Sequence, residues 1–86
     1  MILVVDDDAP IRRMLSRTLA AEGYEVEASP DGGDALAAVE RSTPDLVVLD
    51  VAMPGLDGLS VARRLRDKGL GLPILMLTAQ IGRAHV

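Results

Sequence analysis

Two uninterrupted aliphatic runs that each end in acid, ILVVDDD (Ile2 to Asp8) and LVVLD (Leu46 to Asp50), constrain this 86-residue chain more than any other feature. A strand with one wet face alternates apolar and polar residues, so a run that is apolar throughout predicts a strand buried on both faces, as in a parallel sheet covered by helices. Parallel strands need crossover connections, and the sequence supplies them. From Ala9 the period lengthens: Ile11, Leu15 and Leu19 are spaced by four with Met14 beside them, while Arg12, Arg13 and Arg17 lie off that stripe. This predicts an amphipathic helix with Asp8 as its N-cap, Pro10 in its first turn and Gly23 as its stop. Glu25 to Ser29 predicts a short edge strand whose charges discourage pairing with another chain.

Asp31 to Arg41 reads as a second helix, carried by Leu36 and Val39 and ended by Ser42, Thr43 and Pro44. After the strand Leu46 to Leu49, Pro54, Gly55 and Gly58 turn the chain away sharply. Asp57 then caps a third helix, with Leu59, Ala62 and Leu65 inward, Arg63, Arg64 and Arg66 outward, and Gly69 as its stop. Pro73 to Thr78 (PILMLT) is the fourth strand. Strand and helix alternating in units of about 20 to 25 residues predict an α/β domain with a doubly wound parallel sheet.

Composition narrows the function. The chain is 49% hydrophobic and 26% charged with a net charge of −4, a globular balance that argues against a general binder of phosphate backbones. Tyr24, the single aromatic, offers no stacking surface for single-stranded nucleic acid and reads as structural, at a helix-to-strand junction. Without cysteine there is no disulfide framework and no thiolate metal site. No apolar run approaches the roughly 18 residues of a membrane span, and the first residues lack a basic signal-peptide region. A cytoplasmic domain with no membrane partner is expected.

Right-handed crossovers bring the carboxyl ends of all the strands to one edge of the sheet. Asp6, Asp7, Asp50 and Thr78, far apart in sequence, therefore share one crevice. Three carboxylates about 4 to 6 Å apart repel one another unless a cation or a proton intervenes. Oxygen ligands without His or Cys suit a hard cation such as Mg²⁺, and a remaining carboxylate can then act as a nucleophile towards phosphorus. Thr78 supplies a hydroxyl for a phosphoryl oxygen. Against these stand simpler roles: Asp8 and Asp57 read as helix caps, Met53 and Met76 as packing residues, and the helix arginines as solvated faces.

ILVVDDD, VVLDVAMPGLDG and LPILMLTA, in this order and spacing, resemble the receiver domain of bacterial two-component response regulators over residues 1 to 79. The resemblance implies a flavodoxin-like fold, here with four strands in the order 2-1-3-4 and three helices. It implies that Asp50 is the phosphoacceptor, served by the histidine of a sensor kinase, with Asp6 and Asp7 completing the acidic pocket. Mg²⁺ would be held by Asp7, Asp50 and the backbone carbonyl of Ala52, with Thr78 as the switch hydroxyl and Ala79 as the small residue beside it. A signalling domain that assists its own phosphoryl transfer, rather than an enzyme, is implied. The PGLDG loop is similar to that of winged-helix transcription factors in the family, which implies DNA contact only through a separate output domain and is compatible with a receiver dimer in a full-length parent.

Receivers of this kind carry five β-α units and a lysine after the fifth strand, so the resemblance implies a partial receiver over residues 1 to 80 without the catalytic lysine. Lys68, at the end of the third helix, is in the wrong place to substitute for it. IGRAHV (Ile81 to Val86) leaves the family pattern abruptly, and one reverse translation, ATC GGA AGA GCA CAC GTC, reads as a short-read sequencing adapter. Those six residues, His85 included, are expected to be a non-native tail. Two other functions fit parts of the pattern. The acid-x-acid spacing of Asp6 and Asp8 resembles haloacid-dehalogenase-type phosphatases, which would make Asp6 the acceptor, and a docking module independent of phosphorylation would keep the fold alone.

Overall fold

The computed structural model describes residues 1–51, 58–69 and 71–77. Its elements alternate as the hydrophobic pattern predicts: β1 (Ile2–Val5), α1 (Ala9–Ala21), β2 (Val26–Ser29), α2 (Gly32–Arg41), β3 (Leu46–Asp50), α3 (Gly58–Asp67) and β4 (Ile74–Leu77). The strands form one parallel sheet in the order β2-β1-β3-β4. The chain therefore steps from β1 to β2 in one direction and then returns past β1 to β3. That reversal opens a crevice beyond the carboxyl ends of β1 and β3, the place where open α/β sheets bind ligands.

β1 is buried along its whole length because it lies between two strands and two helical layers. On one face Leu3, Val5, Val47 and Leu49 pack with Ala35, Ala38 and Val39 of α2 and Val61, Ala62 and Leu65 of α3. On the other, Ile2, Val4 and Val48 meet Leu15 and Leu19 of α1. Leu3 and Leu49 are fully enclosed, and each such side chain contributes about 1.5–3 kcal/mol relative to an exposed one.

α1 begins where its cap was expected. The Asp8 side chain accepts the Ile11 N–H at 3.2 Å, and Gly23, at φ 97°, lets the chain leave the helix in a left-handed conformation. Asp31 caps α2 in the same way by accepting the Asp34 N–H at 2.8 Å.

Several expectations need correction. Leu59 points to solvent, 57% exposed. The buried stripe of α3 is instead Gly58, Val61, Ala62 and Leu65, a clean i, i+3, i+4, i+7 series that leaves Leu59 about 100° off the contact. Arg66, though exposed, reaches back to donate to the Leu72 carbonyl at 2.6 Å. No residue of α1 is fully buried, and Ile11 and Met14 of its expected inward stripe are exposed, so from that stripe Leu15 and Leu19 make the apolar contact with the sheet. They still cover Val48.

β2 starts at Val26 rather than Glu25, and β3 runs on to include Asp50. Among the described residues β4 is the outer strand, with Leu75 and Met76 exposed on it. The expected Asp57 cap and the end of the fourth strand at Thr78 lie outside the described residues.

Candidate functional site

The crevice is built by register. Ile2 pairs with Leu46 and each following residue keeps step to Val5 with Leu49, so one residue further Asp6 lies beside Asp50. Neighbouring strands are about 4.8 Å apart. Period-2 alternation also puts Asp6 and Asp50 on the α1 side of the sheet, in line with Val4 and Val48. Asp7 follows at the start of the β1-α1 turn. Carboxylate oxygens of Asp6, Asp7 and Asp50 lie within 4.8 Å of one another, the one such acidic cluster among the described residues.

The three acids differ in exposure. Asp6 is 4% exposed, Asp7 is open to solvent, and Asp50 is partly buried at the strand end. Burial pushes the Asp6 carboxyl above the usual carboxylate range. The Asp8 N–H, donating to Asp6 Oδ1 at 2.9 Å, pulls the other way, while the charges of Asp50 and Asp7 and a hydrogen bond shared with Asp50 push it further up. A pocket of this kind favours a proton or a cation. Its donors are all carboxylate oxygens, a set that fits a hard divalent ion and not a soft one.

Two close contacts fall on the backbone of the acidic residues. Gly58, the first residue of α3, packs directly on β3, and a Cβ there would come within 2.3 Å of the Asp50 carbonyl oxygen. On the other side, Arg12 donates from Nη1 to the Asp6 carbonyl at 2.8 Å. The sequence reading assigns Arg12 to a solvated face. The missed signal is directional: helical side chains lean towards the N-terminus, so an arginine one turn inside α1 reaches the loop that precedes the helix.

Of the acids singled out in the sequence, Asp6, Asp7 and Asp50 converge. Asp8 does not join them, because its carboxylate caps α1. That removes the acid-x-acid pair on which the phosphatase reading depends. Lys68, the chain's single lysine, sits just past α3, which returns from the crevice towards the opposite edge of the sheet, and it pairs with Glu40 at 2.7 Å. Ala52, Thr78, Ala79 and the tail 81–86 lie outside the described residues.

A four-stranded parallel sheet wound 2-1-3-4, with an acidic cluster at its switch point, defines a doubly wound α/β module whose clustered oxygen donors suit a hard cation. The family profile of the response regulator receiver domain matches residues 2–86. Response regulator MprA of Mycobacterium sp. (strain KMS) is 56% identical over 79 residues, which are 92% of this chain and 34% of that protein. Among solved structures, response regulator TrrA from Thermotoga maritima, in complex with Mg²⁺ and BeF, superposes with a TM-score of 0.86 at 45% identity over 91% of this chain and 68% of that one. The receiver domain of NtrX from Brucella abortus gives 0.87 at 36% identity over 95% and 72%. The chain belongs to the response regulator receiver domain family, the signalling module of two-component systems. It spans about a third of the length of the curated relatives it matches. Among the described residues no helix is long and apolar enough to cross a membrane.

Proposed function

We propose that this domain works in the cytoplasm, where Asp50 accepts a phosphoryl group from the phosphohistidine of a sensor kinase, in a Mg²⁺-dependent transfer that Asp6 and Asp7 support. The convergence of three carboxylates within 4.8 Å at adjacent strand ends carries this reading. The Mg²⁺–BeF complex of the similar TrrA is consistent with it. Asp7, Asp50 and the Ala52 carbonyl would hold Mg²⁺, which neutralises the pocket and the charge of an incoming phosphoryl group. Asp50, at the strand end, presents a carboxylate oxygen that forms the new P–O bond as the P–N bond to the donor histidine breaks and its electron pair leaves with the imidazole. Asp6, the most enclosed of the three, holds negative charge where a cation is needed. Thr78 would donate its hydroxyl to a phosphoryl oxygen, with Ala79 leaving room for it.

The reading extends to the parent protein. The chain would be the amino-terminal part of a longer response regulator whose further β-α unit carries the lysine, whose output domain contacts DNA, and whose receivers pair. Residues 81–86 would not belong to that receiver, and genomic sequence beyond codon 79 tests this directly. The phosphoacceptor assignment is tested with acetyl phosphate. Label is expected in the full-length parent with Mg²⁺, to be lost with chelator, and to be absent from Asp50→Asn. Label persisting at a comparable rate in that variant would overturn it.

A further inference from the structure

We propose that Arg12 is a positioning residue of the acidic pocket: by clamping the Asp6 carbonyl it fixes the β1-α1 turn so that the Asp7 carboxylate is held beside Asp6 and Asp50. This rests on the metal-binding reading of those acids and adds a residue to it. The turn from Asp6 to Asp8 is tied at three points. Asp6 Oδ1 accepts the Asp8 N–H, the Asp8 side chain accepts the Ile11 N–H, and the Asp6 carbonyl accepts Arg12 Nη1 at 2.8 Å. The first two ties are local to the turn and the helix cap. Arg12 adds a side-chain hydrogen bond from the body of α1 to the end of β1.

Its own backbone is anchored on both sides, since its N–H donates to the Asp8 carbonyl at 2.9 Å and its carbonyl accepts the Ser16 hydroxyl at 2.8 Å. The clamp is thus part of a rigid helical turn. A charged donor on a buried carbonyl makes a strong bond, and its loss frees the backbone on which Asp7 is mounted. Partners that orient metal ligands typically change metal affinity about 10- to 100-fold when removed.

The sign of the effect separates positioning from simple charge. Removing a cationic side chain near a cation site would by Coulomb's law tighten metal binding, whereas loosening the ligands weakens it. Arg13, exposed on the same helix, serves as the charge control.

The test is Mn²⁺ binding to the full-length parent, followed by the loss of the free-ion electron paramagnetic resonance signal, with urea unfolding of each variant alongside. Mn²⁺ suits the same oxygen donors and needs no phosphoryl transfer. Arg12→Ala is expected to weaken Mn²⁺ binding about tenfold or more, with Arg12→Lys recovering part of the loss and Arg13→Ala leaving binding unchanged or slightly tighter. Affinity in Arg12→Ala equal to or above that of the wild type would overturn the proposal while leaving the metal site standing, as would no recovery in Arg12→Lys. Unfolding of every Arg12 variant would overturn it too, by making Arg12 a residue of the fold. Failure of the wild type itself to bind Mn²⁺ would overturn the metal reading and this inference together.

Discussion

Replacing Gly58 with alanine puts a methyl group where the structure has none to spare. The new Cβ would lie 2.3 Å from the Asp50 carbonyl oxygen, 2.5 Å from Val51 Cα and 2.8 Å from the Asp50 carbonyl carbon. An ordinary carbon–oxygen contact is about 3.3 Å or more, so the two backbones must part by about 1 Å. Neither yields cheaply. β3 is held by ladders to β1 and β4, and Val51 continues the pairing by donating to the Leu77 carbonyl at 2.9 Å. Overpacking of this kind costs about 1–3 kcal/mol, against which alanine offers at most about 1 kcal/mol of helix propensity. A net loss of about 1–2 kcal/mol is expected. With a urea dependence of about 1 kcal/mol per M for so small a domain, the unfolding midpoint of the complete receiver should fall by about 1–2 M. Because the displaced atoms belong to Asp50, its labelling by acetyl phosphate should drop as well, and a misplacement of about 1 Å is enough for a loss of order 100-fold. An unchanged or raised midpoint with undiminished labelling would refute the close-packing argument.

The Asp6 carboxyl is pushed up from its ordinary value of 3.8, so the folded state binds that proton more tightly than the unfolded chain. Its contribution is therefore fully present below pH 3.8 and is lost as pH rises through the elevated value. In chelator, Asp6→Asn is expected to flatten that decline, and urea midpoints that fall equally with pH in both proteins would contradict it. The 86-residue chain alone, with Leu75 and Met76 exposed on an outer strand, is expected to aggregate or to melt without a cooperative transition. Size-exclusion chromatography with thermal unfolding checks this, and a monomer with a sharp transition would show it wrong.

The sheet was legible because β1 and β3 are buried on both faces, which forces the run of aliphatic residues that marks them. Convergence of Asp6, Asp7 and Asp50 followed from topology alone, since parallel strands end at one edge. What sequence could not supply was rotation and reach. Leu59 and Val61 are both aliphatic and two residues apart, and only the approach of Gly58 to β3 decides which of them turns inward. Ile11 and Leu15 share one stripe, yet α1 crosses the sheet so that only the second of them packs on it. Arg12 looked like surface charge because its partner is a backbone carbonyl, a group that leaves no mark in the sequence.

The site of phosphorylation tests the account most directly. An aspartyl phosphate is reduced by borohydride to homoserine, so peptide mass spectrometry of the full-length parent after treatment with acetyl phosphate and Mg²⁺ reads the acceptor residue by residue. The convergence of β1 and β3 at an acidic pocket predicts homoserine at position 50 and at neither Asp6 nor Asp7. Homoserine at Asp6, or none at Asp50 in a folded protein that binds the metal, would contradict it.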